Sequence, residues 1–179
     1  MKRPPYVCQY WTADLPENTA LPEHLAEIMR FWSVRSCGLA CASSALALLA
    51  SQVVSVQSLF NRCVSTGGYS EKGWRHKQLA QTLSAYGLDA SARALTVDEV
   101  IDILSGRQLV IASVTHQFPC DGRRGGHLVL LYSVRNLFGT HFICFMDPTR
   151  WGERHHAVPV ARFSSSFSMK GIVISDKVN

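Results

Sequence analysis

Cys37 opens a run of small and apolar residues, 37–50, that contains no charged side chain and has the pattern of a buried helix. The cysteine therefore lies at a predicted helix N-terminus. Free N–H groups and the positive end of the helix dipole favour a thiolate over a thiol there. A thiolate is the form that attacks a carbonyl carbon, so Cys37 is a candidate nucleophile. Gly38 is unfavourable inside a helix, but it would let a substrate carbonyl approach the backbone closely.

Two polar residues farther along the chain have the chemistry that such a nucleophile needs. His127 follows Gly126 and opens a predicted strand, and Asp147 comes at the end of another strand, just before Pro148. Cysteine, then histidine, then aspartate is the order found in papain-like enzymes. Each residue alone has an ordinary interpretation, as a small core residue, a surface or core histidine and a turn aspartate. One catalytic site explains their joint occurrence better.

Composition limits the class of protein. A length of 179 residues, with 47% hydrophobic and 17% charged residues, predicts a single globular domain over residues 1–179. No apolar run reaches the roughly 20 residues of a membrane span, and no signal-peptide pattern follows the basic N-terminus. We therefore expect no membrane span and a cytoplasmic location. The six cysteines show neither a disulfide framework nor zinc-ligand spacing, so we expect free thiols, no metal and no cofactor.

The net charge of +5 comes without a nucleic-acid-binding motif, because the arginines are spread along the chain. The one local cluster, Arg123-Arg124, lies just before the Gly-Gly-His segment. A basic mouth at the site would attract an acidic peptide or carrier. We therefore expect a peptide or acyl substrate and no nucleic-acid partner, while the sequence leaves the oligomeric state undetermined.

The hydrophobic period changes along the chain. Helical spacing predicts helices over 22–31, 37–51 and 74–86, one that begins after Ser55, and one from a Thr96–Glu99 capping box to Gly106. Residues 4–11 read as extended, 15–22 as a proline loop, 66–73 as a glycine-rich loop and 88–95 as a strand. Strand patterns follow at 109–114, 127–134, 141–146, 157–160 and 171–174. Helices followed by antiparallel strands indicate an α+β fold, with a cleft between the two halves.

These motifs together resemble the papain-like cysteine peptidases of the C39 and C39-like group, which includes domains that remove double-glycine leader peptides. The motifs are Cys37-Gly38-Leu39-Ala40-Cys41, Gly126-His127-Leu128-Val129 and Asp147-Pro148. The resemblance covers residues 5–174. It implies a papain-like fold in which a helical half with the cysteine packs on an antiparallel sheet with His127 and Asp147.

The resemblance also implies further site residues. The leader peptidases place an oxyanion-hole glutamine six residues before the cysteine, a position that is Phe31 in this chain. Other C39-like proteins have a Pro-x-Tyr-x-x-Gln-Trp-like segment before an insertion, and residues 5–11 resemble it. Gln9 is therefore the implied oxyanion residue, and a solvent-facing strand glutamine is the alternative. Trp74 and His76 lie in a segment similar to one near the C39 site.

We therefore expect a substrate groove lined by Gly38, Trp74, His76 and Gly126, although a structural role for His76 is the alternative. His116, His141, His155 and His156 have no partner motif, and the pair at 155–156 is expected to face solvent. The resemblance implies a cysteine hydrolase that acts through a Cys-His-Asp triad and an acyl-enzyme. An acyltransferase or cyclase that uses the same intermediate is one alternative, and an inactive papain-like binding module is the other.

Overall fold

The computed structural model describes residues 2–11 and 21–177, so most of the predicted proline loop at 15–22 lies outside the described residues. Six helices, eight strands and one 3-10 helix (Arg150–Glu153) are found in this part of the chain. The helices are α1 (Glu23–Ser33), α2 (Cys37–Leu49), α3 (Val56–Ser65), α4 (His76–Ala85), α5 (Val97–Ser105) and α6 (Val160–Ser166). The strands are β1 (Tyr69–Ser70), β2 (Gly73–Trp74), β3 (Leu88–Ala94), β4 (Leu109–Val114), β5 (His127–Leu137), β6 (Thr140–Met146), β7 (Ala157–Pro159) and β8 (Phe167–Asp176).

Six strands form one antiparallel sheet in the order β3-β8-β4-β5-β6-β7, and β1 and β2 form a separate small hairpin. Both faces of the large sheet are covered. Along β5, Leu128 and Leu130 pack into the core shared with α2, α3 and α4, whereas Val129 and Leu131 pack into the core shared with α5 and α6. Successive side chains of a strand point to opposite faces, which is why this strand is almost continuously apolar.

Helix α2 runs through the first of these two cores. Ten of its 13 residues are buried, from Cys37 to Leu46. Its alanines, serines and cysteines are small enough for the helix to lie close to β5, while Leu39 and Leu46 are fully buried. Each buried leucine contributes about 1.5–3 kcal/mol to folding. The predicted central helix is therefore held by packing along most of its length, and its first residue is Cys37.

The local capping signals predict helix starts correctly. The Ser55 hydroxyl accepts a hydrogen bond of 3.1 Å from the Ser58 N–H at the start of α3. Thr96 and Glu99 form the predicted capping box before α5. No single helix within residues 2–11 and 21–177 is long and apolar enough to cross a membrane.

The structure differs from the sequence prediction mainly where an element depends on contacts with residues far away in sequence. Residues 160–166 form a short helix, α6, which their serine-rich sequence does not indicate. Strand β8 is longer than predicted because it pairs with β3 on one side and β4 on the other. The β1–β2 hairpin extends from the glycine-rich loop to Trp74, so α4 begins at His76 and not at the predicted residue 74.

Candidate active site

Strand pairing brings the candidate histidine and aspartate to one edge of the sheet. His127 is the first residue of β5, and Asp147 directly follows β6. Because Leu130 lies opposite Met146 in the antiparallel β5–β6 pair, the start of β5 and the end of β6 are neighbours. Cys37, the first residue of α2, and His127 both line a cavity of about 160 Å³ between the helix and the sheet. The predicted cleft between the two halves is therefore present.

Asp147 contacts one nitrogen of the His127 ring. Oδ2 of Asp147 lies 3.1 Å from Nε2 of His127, and the two side chains are 0% and 10% exposed. The two atoms are in ion-pair contact, and neither has a hydrogen-bond partner within the described residues. The other carboxylate oxygen, Oδ1, accepts a hydrogen bond of 2.8 Å from the Thr149 backbone N–H. The carboxylate is thus oriented from behind, with one oxygen directed at the imidazole.

The protonation states follow from these contacts. Burial lowers the pKa of His127, but the contact with Asp147, the proximity of Cys37 and the charges of both groups outweigh burial and raise the pKa to about 10. Burial raises the pKa of Asp147, but the contact and charge of His127 and the hydrogen bond from the Thr149 N–H lower it by more, below its ordinary value. At neutral pH the pair is therefore an imidazolium facing a carboxylate.

The second thiol of the helix is in a different environment. Cys41 is fully buried, and its Sγ donates a hydrogen bond of 3.5 Å to the Leu128 carbonyl. Burial raises the pKa of Cys41 well above its usual value, and the charges of Cys37 and Asp147 raise it further. Cys41 is therefore a thiol packed in the core. No group of three or more histidine, cysteine or acidic side chains that could hold a metal ion occurs among the described residues.

Gln9 is buried beside the catalytic candidates. Its backbone N–H donates to the Pro148 carbonyl at 2.9 Å, and its Nε2 donates to the Ser33 carbonyl at 3.1 Å. The side chain is 4% exposed, and Oε1 has no hydrogen-bond partner within residues 2–11 and 21–177. The alternative of a solvent-facing strand glutamine is therefore wrong. Gln9 does not line the cavity itself, and its oxyanion role stays a prediction.

Three of the four predicted groove residues line the cavity: Trp74, His76 and Gly126. Trp74 is held in place by the hydrogen bond from its indole N–H to the Arg35 carbonyl. Gly38 does not line the cavity. A Cβ at Gly38 would lie 2.7 Å from Leu128 Cδ1 and 3.0 Å from Leu79 Cδ2, so the structure gives this glycine a packing role. Its contact with a substrate carbonyl stays a prediction.

Solved peptidase domains share this architecture. The peptidase domain of Streptococcus ComA, a bi-functional ABC transporter involved in a quorum-sensing pathway, has a TM-score of 0.61 at 14% identity, over 80% of this chain and 93% of that one. A Bacillus anthracis protein classed as a C39-like peptidase has a TM-score of 0.63 at 15% identity, over 98% of this chain and 96% of that one. The chain has the fold of a C39 peptidase domain.

A third structure agrees with this assignment of fold. A double glycine motif protease from an AMS/PCAT transporter, solved in complex with the leader peptide, has a TM-score of 0.55 at 17% identity, over 79% of this chain and 84% of that one. The papain-like α+β fold predicted from the sequence is confirmed. No protein-family model and no curated protein sequence matches the chain. The likeness to C39 peptidase domains is therefore a likeness of fold.

Sequence reasoning missed one histidine near the candidate site. The ring of His116 lies 5.2 Å from the His127 ring, nearly perpendicular to it. Its Nε2 is 3.3 Å from Thr149 Oγ1, on the residue whose N–H binds Asp147. No local motif marks His116. The one signal is the β4–β5 register, in which Val114 lies opposite His127 and so brings the residues after β4 near the site.

His155 and His156, the pair expected to face solvent, both make contacts with other side chains. His155 is exposed as expected, yet its ring stacks on Trp151 with centroids 4.2 Å apart. His156 is half-buried and accepts a hydrogen bond of 3.1 Å from the Arg3 guanidinium. Trp151 also lies 6.1 Å from the His116 ring. The stacked pair therefore borders the sheet side of the site without lining the cavity.

Proposed function

We propose that this protein is a cysteine hydrolase that cleaves a peptide or amide bond through an acyl-enzyme on Cys37. The observation that carries the proposal is the His127–Asp147 contact of 3.1 Å, with His127 lining the same cavity as Cys37, which lies at the start of a helix. Nucleophile, base and orienting carboxylate in series are the arrangement that activates a thiol for acyl transfer. The three side chains come from distant parts of the chain and meet beside one cavity. Separate ordinary roles for each residue do not explain this arrangement.

In the acylation step, the Cys37 thiolate attacks the substrate carbonyl carbon and forms a tetrahedral oxyanion. His127, held as an imidazolium by Asp147, then donates its proton to the leaving amine nitrogen, and the C–N bond breaks. The products of this step are a Cys37 thioester, a free amine and a neutral imidazole. Asp147 stabilises the charged form of the ring and keeps its reactive nitrogen directed at the thiol.

In the deacylation step, neutral His127 takes a proton from water, and the resulting hydroxide attacks the thioester carbonyl. Collapse of the intermediate releases a carboxylic acid and returns the thiolate–imidazolium pair. The first intrahelical hydrogen bond of α2 runs from the Ala40 N–H to the Ser36 carbonyl. The Cys37 N–H comes before it, has no intrahelical acceptor, and is the first proposed donor for the oxyanion. We propose the Gln9 amide as the second donor. One such donor contributes about 3 kcal/mol to catalysis.

The proposed substrate is a leader-type peptide, by analogy with the double glycine motif protease that was solved with its leader peptide. A narrow cavity bordered by Gly126 and the indole of Trp74 suits a small residue on the acyl side of the cleaved bond. A thiolate mechanism of this kind works in a reducing compartment such as the cytoplasm.

The test is a mass-spectrometric assay of the purified protein with peptides that contain a central Gly-Gly. We expect a free carboxylic acid at the cleaved glycine and a transient thioester on Cys37, both lost in Cys37→Ala. A product joined to an added amine in place of the free acid would point to the acyltransferase alternative. Absence of both cleavage and thioester across the peptide set would contradict the proposal.

A further inference from the structure

A second cavity opens directly beside the first. Its volume is about 370 Å³, and it shares five lining residues with the cavity of Cys37 and His127: Lys72, Trp74, His76, Ser113 and Gly126. The rest of its lining is Arg124, Gly125, Ser168 and Lys170, and we call this space the basic recess. The recess is therefore an extension of the reaction cleft and not a separate surface feature.

The charges around the basic recess have one sign. Lys72, Arg124 and Lys170 line it, whereas no aspartate or glutamate does. None of the three cations is within ion-pair distance of a carboxylate in the described part of the chain. Asp121, three residues before Arg124 in the sequence, forms an ion pair of 2.6 Å with Arg123. Three positive charges therefore face the recess without an acidic partner among the described residues.

The recess also contains polar groups that lack partners. The Ser168 hydroxyl is covered, yet it makes no hydrogen bond within residues 2–11 and 21–177. A buried hydroxyl without a partner is unfavourable, and an oxygen of an anionic ligand would satisfy it. Arg124 donates one hydrogen bond of 3.1 Å to the Phe167 carbonyl, which fixes the guanidinium and leaves its other N–H groups for a ligand.

Glycines keep the recess open. A Cβ at Gly125 would lie 3.1 Å from both Ser113 Oγ and Ser168 Cβ, so a side chain there would crowd these residues. Gly125 and Gly126 both have positive φ, +81° and +92°, which glycine adopts without strain. His76 lines the recess as the first residue of α4. Burial lowers the pKa of His76, and the Lys170 charge lowers it further, so its imidazole is neutral and can accept or donate a hydrogen bond.

We propose that the basic recess binds a carboxylate of the peptide substrate, so that the enzyme prefers an acidic residue near the cleaved bond. The inference rests on the proposed function and names a feature of its substrate. Gly126 lies directly before His127 and lines both cavities, so the bound carboxylate belongs to a residue close to the scissile bond. An Asp or Glu side chain and a terminal carboxylate share this chemistry, and the test separates them.

The first experiment measures kcat/KM for internally quenched peptides with a central Gly-Gly. Glutamate, glutamine or lysine is placed in turn at each of the nearest positions on both sides of the cleaved bond. At one position we expect kcat/KM for the glutamate peptide to exceed kcat/KM for the glutamine peptide by about five- to tenfold at low salt. The preference should shrink in 1 M salt, where the screening length is about 3 Å. A second peptide pair, ending near the bond as a free acid or an amide, tests a terminal carboxylate.

Variants test whether the recess is responsible. Lys170→Gln and Arg124→Gln should each lower the ratio of kcat/KM for the glutamate peptide to that for the glutamine peptide by about threefold. Lys77→Gln is the matched control, because it removes one exposed positive charge from α4 without touching the recess. A ratio near one in the wild type, or an equal loss in Lys77→Gln, would overturn the proposal.

A binding measurement separates this inference from the proposed function. Fluorescence anisotropy of the glutamate and glutamine peptides is recorded on Cys37→Ala, with and without Lys170→Gln. Tighter binding of the glutamate peptide that is lost in the double variant supports the recess, even if the wild type cleaves no peptide. Cleavage without acidic preference in rate or binding would overturn the recess and leave the hydrolase standing. Neither cleavage nor acidic preference in binding would overturn both.

Discussion

The helical wall and the sheet wall of the cleft are held by different forces. Behind Cys37 on the helical wall, the side chains of Leu39, Cys41 and Ala42 have no solvent exposure and pack against the sheet. On the sheet wall, polar contacts connect His127, Asp147, Thr149 and His116. Packing therefore positions the proposed nucleophile, whereas hydrogen bonds and charge set the protonation of its proposed partner, His127. Substitutions on the two walls should differ in what they change.

The largest expected effect separates two cysteines one helical turn apart. Cys37→Ala should lower kcat by about 10⁴-fold or more, because it removes the nucleophile, and the fold should remain intact. Cys41→Ala should be nearly silent in catalysis and cost about 1 kcal/mol of stability, because its thiol is core. Peptide-cleavage kinetics and circular dichroism check both variants. Equal activity losses in two folded variants would contradict a single nucleophile and indicate a paired-thiol site.

Asp147→Asn tests the sheet wall at its centre. The amide can still accept a hydrogen bond from the Thr149 N–H, but it cannot stabilise an imidazolium as a carboxylate does. We expect kcat to fall by about 100-fold or more while remaining measurable. The pH–rate profile should show a lower pKa for His127. An unchanged rate and profile would mean that Asp147 does not act on the histidine.

The same pair should make stability depend on pH. The pKa of His127 is about 10 in the folded protein, above the ordinary value of about 6.5 that it has in the unfolded chain. The protonated ring therefore contributes fully to stability below about pH 6.5. This contribution is lost as the pH rises toward 10. Thermal unfolding of wild type and His127→Gln at several pH values checks this. The difference in Tm should be largest near pH 6 and shrink in alkali; a difference that grows with pH would refute the assigned charge state.

The smallest expected effect is at His116. His116→Phe keeps a ring against His127 but removes the hydrogen bond to Thr149, so Thr149 holds Asp147 less firmly. We expect kcat to fall by about three- to tenfold, with KM nearly constant and a shifted pH–rate profile. Thr149→Ser, which retains the hydroxyl, is the matched control and should keep most of the activity. A change confined to Tm would assign His116 a structural role alone.

The helical wall could be predicted from the sequence because its signals are local. The start of α2 at Cys37 follows from the uncharged run of small residues, and the caps at Ser55 and Thr96 follow from side chains that bind backbone groups three residues away. Strand β4 has its predicted bounds because a short apolar run bordered by polar residues is a buried strand.

The sheet wall could be predicted only in part, because its contacts join residues far apart in sequence. His127 and Asp147 were found at strand ends, but the Thr149 N–H and the His116 ring depend on turn geometry and on β4–β5 register. The burial of Gln9 likewise depends on the Pro148 carbonyl, which no pattern near residue 9 reveals. The serine-rich α6 has weak intrinsic helix propensity. It is stabilised by its own Phe163, which packs in a core formed with residues far away in sequence.

The most direct test of the central claim is the rate of alkylation of Cys37 by iodoacetamide near neutral pH, followed by peptide mass spectrometry. Exposed Cys120 serves as an internal reference for an ordinary thiol. A His127-paired thiolate predicts that Cys37, though only 9% exposed, reacts faster than Cys120, and that His127→Ala lowers its rate by about tenfold or more without affecting Cys120. Slower labelling of Cys37 than of Cys120, or a rate indifferent to His127→Ala, would contradict the account.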